Sequence, residues 1–155
     1  ISDQMMQIAR DKTEAAGLSH IITYRHEDCT AMTFPDKTFD SVISAFALRN
    51  LQDIGAALRE MRRVLQPGGD IVVIDLCAPR RFPMQQVFQL YKHTIMPTLA
   101  GRYSHNVKAY KYLPATMEAT LQGEDMAEQF RKAGFRHVSY HYQSFGMSCL
   151  YTAKR

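Results

Sequence analysis

The sequence predicts an α/β fold in which a mostly parallel sheet is finished by an antiparallel hairpin, and three observations predict it. The first is residues 63–75, RVLQPGGDIVVID, where a helix gives way to Pro67, Gly68 and Gly69 and then to the apolar run Ile71 to Ile74 of a strand covered on both faces. In the preceding helix Ile54, Ala57, Leu58, Met61, Val64 and Leu65 recur at helical spacing, while Arg59, Glu60, Arg62 and Arg63 take the wet side. Pro67 is expected to stop this helix, and the two glycines to allow a sharp reversal. The second observation is another apolar run upstream, Phe39 to Phe46, so that strand, helix and strand follow one another as in a parallel unit. The third is a pair of period-2 runs, Val138, Tyr140, Tyr142 and Met147, Cys149, Tyr151, separated by a turn at Phe145 and Gly146. Open parallel sheets bind ligands beyond the carboxyl ends of their strands, which directs the search for chemistry to Asp75, Leu76 and Cys77.

In chain order, a helix opens with Ser2 as N-cap and Asp3 in its first turn; Met5, Met6, Ala9, Thr13 and Ala16 are its apolar positions and Gly17 its end. A helix of an α/β unit follows a strand, so a strand is expected upstream of Ile1. Ile21 to Arg25 reads as a short strand, followed by His26, Glu27, Asp28 and a polar turn through Thr33 to Asp36. The loop Ala47 to Gln52 leads from the Phe39 strand into the helix already described, which Asp53 is placed to cap. After the central strand, Pro79 and Pro83 bracket the basic loop Arg80, Arg81, Phe82. Pro83 suits the first turn of a helix whose stripe is Met84, Val87, Phe88, Tyr91 and Ile95, with Pro97 ending it. Residues from about 79 to 120 are expected to form a helical insertion, beyond the carboxyl ends of the strands where a substrate would bind, in a single domain spanning residues 1–155. A short helix from Glu124 stops at Gly134.

Composition narrows the functional classes. A hydrophobic share of 46% with 22% charged residues describes a soluble, globular chain. The net charge of +4 is scattered rather than massed, which fits solvated charge and gives no indication of nucleic-acid binding. Cys29, Cys77 and Cys149 have no CxxC spacing and an odd count, so neither a metal site nor a disulfide framework is expected, and reduced cytoplasmic thiols are. No apolar run approaches the ~18 residues of a membrane span.

Four segments resemble, in order and spacing, the methyltransferases of ubiquinone and menaquinone biosynthesis: FPDKTFDSVISAFALRNL (34–51), ALREMRRVLQPGGDIVVIDL (57–76), AYKYLPATM (109–117) and RKAGFRHVSYH (131–141). The FPD and RVLxPGG features mark small-molecule methyltransferases in general, whereas FALRN and YKYLP narrow the likeness to the quinone branch. Two positions depart from the family: Asp75-Leu76-Cys77 stands where Glu-Phe-Ser is more usual, and Ala45 replaces a Ser. The resemblance implies a Rossmann-like class I S-adenosylmethionine-dependent fold, with the first strands, the Gly-rich turn and the ribose-binding acid absent from these residues.

The resemblance also implies where the ligands lie. On the cofactor side it places Met5 against the adenine ring, Asp28 and Cys29 at the adenine edge, and Ser44, Ala45 and Phe46 beside the sulfonium, with no metal. The implied reaction is methyl transfer from S-adenosylmethionine to a ring carbon of a polyprenylated hydroquinone. Carbon is a poor nucleophile until the neighbouring phenol, of pKa about 10 by analogy with tyrosine, gives up its proton. Arg49 and Asn50 are candidates to polarise that hydroxyl, and Asp75, His93 and Tyr110 are candidates to move the proton. Tyr91, Ile95 and Leu113 are candidates to line an apolar slot for the prenyl tail. Each position has a plainer reading: Asp28 as the cap of a turn, Arg49 in an ion pair, Asp75 as an exposed carboxylate, Tyr110 as core. Peripheral contact with the inner face of the membrane through the substrate follows from the same likeness. The unpaired strand edges are expected to be completed either by a longer polypeptide or in a homodimer. An O- or N-methyltransferase, or a non-catalytic member of a quinone-synthesis assembly, are the rival readings.

Overall fold

The computed structural model describes residues 3–91, 117 and 120–155. His93, Ile95, Tyr110 and Leu113, with most of the expected insertion, lie outside the described residues. Helix α1 (Asp3–Ala15) is followed by a long irregular segment and strand β1 (Phe39–Ala45). Helix α2 (Ile54–Val64) and strand β2 (Leu65–Leu76) come next, then α3 (Met84–Leu90). Helix α4 (Glu124–Lys132) and the hairpin strands β3 (Arg136–Gln143) and β4 (Ser148–Lys154) close the chain. The strands form one sheet in the order β1, β2, β4, β3. Only β1 and β2 run parallel, so the described sheet is mixed rather than mostly parallel; the hairpin inserts β4 antiparallel against β2 and leaves β3 at the far edge.

Most of the local signals act as expected. Asp53 Oδ1 accepts from the Ala56 amide at 2.8 Å, satisfying one of the free donors at the start of α2. Gly134 follows α4 at φ +92°, a conformation a side chain would resist. On the inner face of the sheet Ile71 and Val73 of β2, with Cys77 just past its end, meet Cys149, Tyr151 and Ala153 of β4, and Leu58, Met61, Met126 and Phe130 from α2 and α4 cover them. Burial of this continuous apolar layer is the main force fixing the two helices to the sheet.

Two expectations of local secondary structure fail. Ile21 to Arg25 is not a strand: the amides of Ile21 and Ile22 turn back to the Leu18 carbonyl, and the Ile21 side chain is 68% exposed. Its β-branched residues have the propensity, but a strand exists only when a neighbour accepts its ladder of hydrogen bonds. Tyr24 instead anchors the segment, its hydroxyl donating to the Ala9 carbonyl at 3.0 Å and pairing with Thr13, the buried residue of α1. The second failure concerns Pro67, which does not stop the helix. Helix α2 ends at Val64; Leu65 is already extended and pairs with Phe39.

Pro67, Gly68 and Gly69 therefore lie inside β2 as a bulge, because the pairing resumes only at Ser41 with Asp70. Gly68 has φ +80°, and a Cβ on Gly69 would stand 2.7 Å from the Asp40 carbonyl oxygen. The glycines are needed for close backbone approach as well as for the bend. Gly69→Ala is expected to cost about 1–3 kcal/mol, as overpacking against a backbone does. Urea unfolding checks it, and an unchanged midpoint would show that the bulge yields freely.

Arg63, expected on the wet side of α2, instead gathers the segment before β1. Its guanidinium donates to the carbonyls of Met32 (3.0 Å) and Phe34 (2.8 Å), to Asp36 (2.7 Å) and to both oxygens of Glu60 (2.9 Å each). These bonds to Arg63, led by its hydrogen bonds, hold the Glu60 carboxyl below its ordinary pKa. The planar fork of arginine suits such a multiple contact where lysine would not.

Candidate active site

The carboxyl ends of β1 and β2 face the same way because the strands are parallel, and pairing continues one residue past β1 through Phe46 N to the Ile74 carbonyl at 2.8 Å. The chain then reverses. Phe46 takes φ +57°, and residues Leu48–Asn50 form a 3-10 turn that carries Arg49 back across the end of β2. There Arg49 meets Asp75, the penultimate residue of β2. The guanidinium Nη1 donates to Asp75 Oδ1 at 2.7 Å, the Arg49 amide donates to Oδ2 at 3.0 Å, and the Leu76 amide donates to Oδ1 at 2.8 Å. Their side chains are only 13% and 3% exposed. Asp75 is thus a buried, paired carboxylate rather than an exposed one.

Two further features complete this corner. Arg49 Nε is buried and has no acceptor among the described residues. A buried cationic donor without a partner is costly, so this nitrogen is a natural point for a ligand oxygen. The Phe46 ring lies 5.9 Å from the guanidinium carbon, and Asn50 Nδ2 donates to the Phe46 carbonyl at 3.4 Å. Ser44 is half-buried while Ala45 and Phe46 are exposed, so the end of β1 presents small side chains and one aromatic ring to the outside. The structure therefore brings together Ser44, Ala45, Phe46, Arg49, Asn50 and Asp75.

Met5, Asp28 and Cys29 belong to other elements. Met5 is 73% exposed on α1, while Asp28 and Cys29 lie in the segment before β1. Asp28 Oδ1 accepts from both the amide (2.8 Å) and the hydroxyl (2.7 Å) of Thr30, and these bonds hold its carboxyl below the ordinary pKa. This is the turn cap that its spacing suggests, yet both donors use one oxygen, and Oδ2 has no hydrogen-bond partner among the described residues. Burial, then the charge of Asp28, pushes the Cys29 thiol up.

The geometry adds residues that the sequence did not single out. A cavity of about 550 Å³ opens beside the hairpin turn, lined by Arg80, Gln122, Tyr140, Tyr142 and Phe145 among others. Gln122, 3% exposed and with its amide oriented to satisfy both neighbours, donates to the Ala78 carbonyl (3.1 Å) and accepts from Arg80 Nε (2.9 Å). The period-2 pattern already places Tyr140 and Tyr142 on one face; nothing local marks Gln122. A second, wholly apolar groove of about 330 Å³ runs along α3 between Met84, Val87, Leu90, Tyr91 and Met147, so of the three slot candidates the described residues place Tyr91 there.

A parallel strand pair flanked by helices and closed by a hairpin, with a polar corner at the strands' carboxyl ends, defines a Rossmann-like class I methyltransferase fold. Solved structures agree: a putative methyltransferase from Bacillus halodurans superposes with a TM-score of 0.64 at 18% identity, covering 99% of this chain and 80% of that one. The [4+2]-cyclase SpnF superposes with a TM-score of 0.72, also at 18% identity, covering 100% and 64%. The sequence pattern of the ubiE/COQ5 methyltransferase family matches residues 1–155, and the chain belongs to that family. A demethylmenaquinone methyltransferase of Bacteroides fragilis is 42% identical over 155 residues, covering 100% of this chain and 63% of the relative. A ubiquinone/menaquinone biosynthesis C-methyltransferase of Geobacter sulfurreducens is 34% identical, and this chain covers 60% of it. The chain thus spans about three-fifths of the length of these curated relatives.

Proposed function

We propose that the protein containing this chain uses S-adenosylmethionine to methylate a ring carbon of a polyprenylated hydroquinone of the demethylmenaquinol or polyprenyl-methoxybenzoquinol type. The observation that carries the reading, beside family membership, is the buried Arg49–Asp75 pair with Arg49 Nε left over at the strands' carboxyl ends. The co-substrate supplies an electrophilic methyl group on a sulfonium; the residues present fit it through the small, open end of β1 at Ser44 and Ala45 and through Asp28 Oδ2, which suits an exocyclic amine.

In this reading Arg49 donates to the oxygen of the ring hydroxyl, directly or through a water, and stabilises the phenolate that makes the adjacent carbon nucleophilic. Asp75 acts as a positioning residue: its oxygens already hold three donors, so it fixes the direction of the guanidinium rather than collecting the proton. Asn50 steadies the reversal after β1. His93 and Tyr110 remain candidates for the proton relay. The apolar groove along α3 suits the prenyl tail, and Arg80 and Arg81 beside the exposed Phe82 suit a membrane surface from which such a substrate is drawn.

The phenolate requirement makes the reaction depend on the redox state of the ring. Full-length protein should methylate the reduced hydroquinone and leave the oxidised quinone unchanged, as followed by product mass; equal turnover of both forms would refute the role given to Arg49. Asp28→Ala should weaken S-adenosylmethionine binding by about 1.5–3 kcal/mol, the worth of a hydrogen bond to a charged acceptor. Calorimetry on the full-length protein measures it, and equal affinity in variant and parent would remove Asp28 from the adenine site and leave it the turn cap alone.

A further inference from the structure

The cavity beside the hairpin turn gathers groups that no step of the proposed methyl transfer uses. At about 550 Å³ it falls within the ~300–1,000 Å³ of small-molecule sites. Its polar wall is built on the buried Gln122, whose one oxygen accepts from both Nε (2.9 Å) and Nη2 (3.1 Å) of Arg80. Two donors of the fork held by one buried acceptor fix the plane of the guanidinium. The remaining nitrogen, Nη1, meets Asp125 Oδ2 only loosely, at 3.9 Å, and both side chains are more than half exposed. That separation is beyond hydrogen-bond length, so an acceptor that comes closer displaces Asp125 from this charged donor. Arg81 adds a second cation to the lining. Of the two acids there, Glu124 is paired with Arg131, which leaves Asp125 to oppose an incoming anion.

The other wall is aromatic. Tyr140 and Tyr142 meet at 86° with ring centroids 5.9 Å apart, so they offer a face and an edge in one corner. Burial pushes the Tyr142 hydroxyl up, so it keeps its proton and serves as a donor. Ser144, Phe145 and Gly146 take φ of +48°, +57° and +90°, and this left-handed run carries the Phe145 ring, 82% exposed, out to the cavity's rim. We propose that this cavity binds a small planar aromatic carboxylate, with the carboxylate on Arg80 Nη1 and the ring in the corner of Tyr140 and Tyr142. Each half of the ligand answers one wall. A phosphate would engage the guanidinium and leave the rings without a partner, and a neutral ring would forgo the charge-assisted bond.

Calorimetry on the full-length protein, with 1-naphthoate as the probe, should show saturable binding that Arg80→Ala weakens about 10–100-fold, as the loss of a hydrogen bond to a charged group does. Asp125→Asn, an exposed change, should instead tighten binding by up to about fivefold, because it removes the competing charge. 1-Naphthamide and cyclohexanecarboxylate should each bind at least about tenfold more weakly, the first for want of a charge and the second for want of a ring face. Arg49→Lys should leave the affinity for naphthoate unchanged. No saturable binding, full affinity in Arg80→Ala, weaker binding in Asp125→Asn, or an amide or saturated acid that binds as well as naphthoate would each overturn the proposal. Loss of binding in Arg49→Lys would also overturn it, by placing the probe at the Arg49–Asp75 corner.

Discussion

Arg49→Ala is expected to lower the stability of the folded protein by about 3–5 kcal/mol, because it leaves the Asp75 carboxylate, 3% exposed, as an uncompensated buried charge. For a chain of this size that corresponds to a fall of roughly 10 °C in Tm. Turnover in the full-length enzyme should fall by about 10²–10³-fold, the range for removing one donor to a developing oxyanion. The substitution thus tests folding and chemistry together, and Arg49→Lys separates them. Lysine keeps a positive charge against Asp75 but has no counterpart of the buried, unpartnered Nε, so most of the stability should return while turnover stays low. The double variant Arg49→Ala with Asp75→Ala should be less destabilised than the sum of the two single changes, since neither charge is then stranded. Wild-type turnover in Arg49→Lys would make the pair purely structural, and an unchanged Tm in Arg49→Ala would contradict its burial.

Phe130→Ala should be comparably severe by a different mechanism. Phe130 is fully buried on α4, stacked on Tyr151 at 5.7 Å between ring centroids and tilted against Phe135 at 5.7 Å. Truncation removes the ring contacts that join α4 to the hairpin and leaves a cavity at the centre of the core, at a cost of about 3–5 kcal/mol. Chemical denaturation should show the whole loss in the midpoint with little change in slope. A variant within about 1 kcal/mol of the parent would mean that α4 collapses onto the sheet without that ring.

Local chemistry is legible in this sequence, and pairing over distance is not. Asp53 as a cap, Gly134 as a helix stop and the hairpin around Gly146 each follow from residues a few positions apart, and the structure shows all three. Ile21 to Arg25 has the composition of a strand, yet a strand is a relation between two segments, and composition reports only one of them. Pro67 reads as a helix stop when its ring alone is considered; the register with β1 turns the same residues into a bulge. At the site, the strand-end rule finds Asp75 and the loop after β1 finds Arg49. That the two bond to each other depends on a turn that reverses the chain over the sheet, 26 residues apart in sequence, which no periodicity reports. Asp28 carries its turn role openly in its spacing to Thr30, whereas any ligand role rests on an oxygen that spacing cannot show to be unoccupied.

The most direct measurement of the central claim is the position of the transferred methyl group. Full-length protein incubated with methyl-labelled S-adenosylmethionine and a short-chain demethylmenaquinol should yield a product whose labelled carbon resonates in the range of an aryl methyl group and couples to the ring carbon. A label resonating as a methoxyl would show that the protein alkylates oxygen and would contradict the phenolate mechanism built on Arg49.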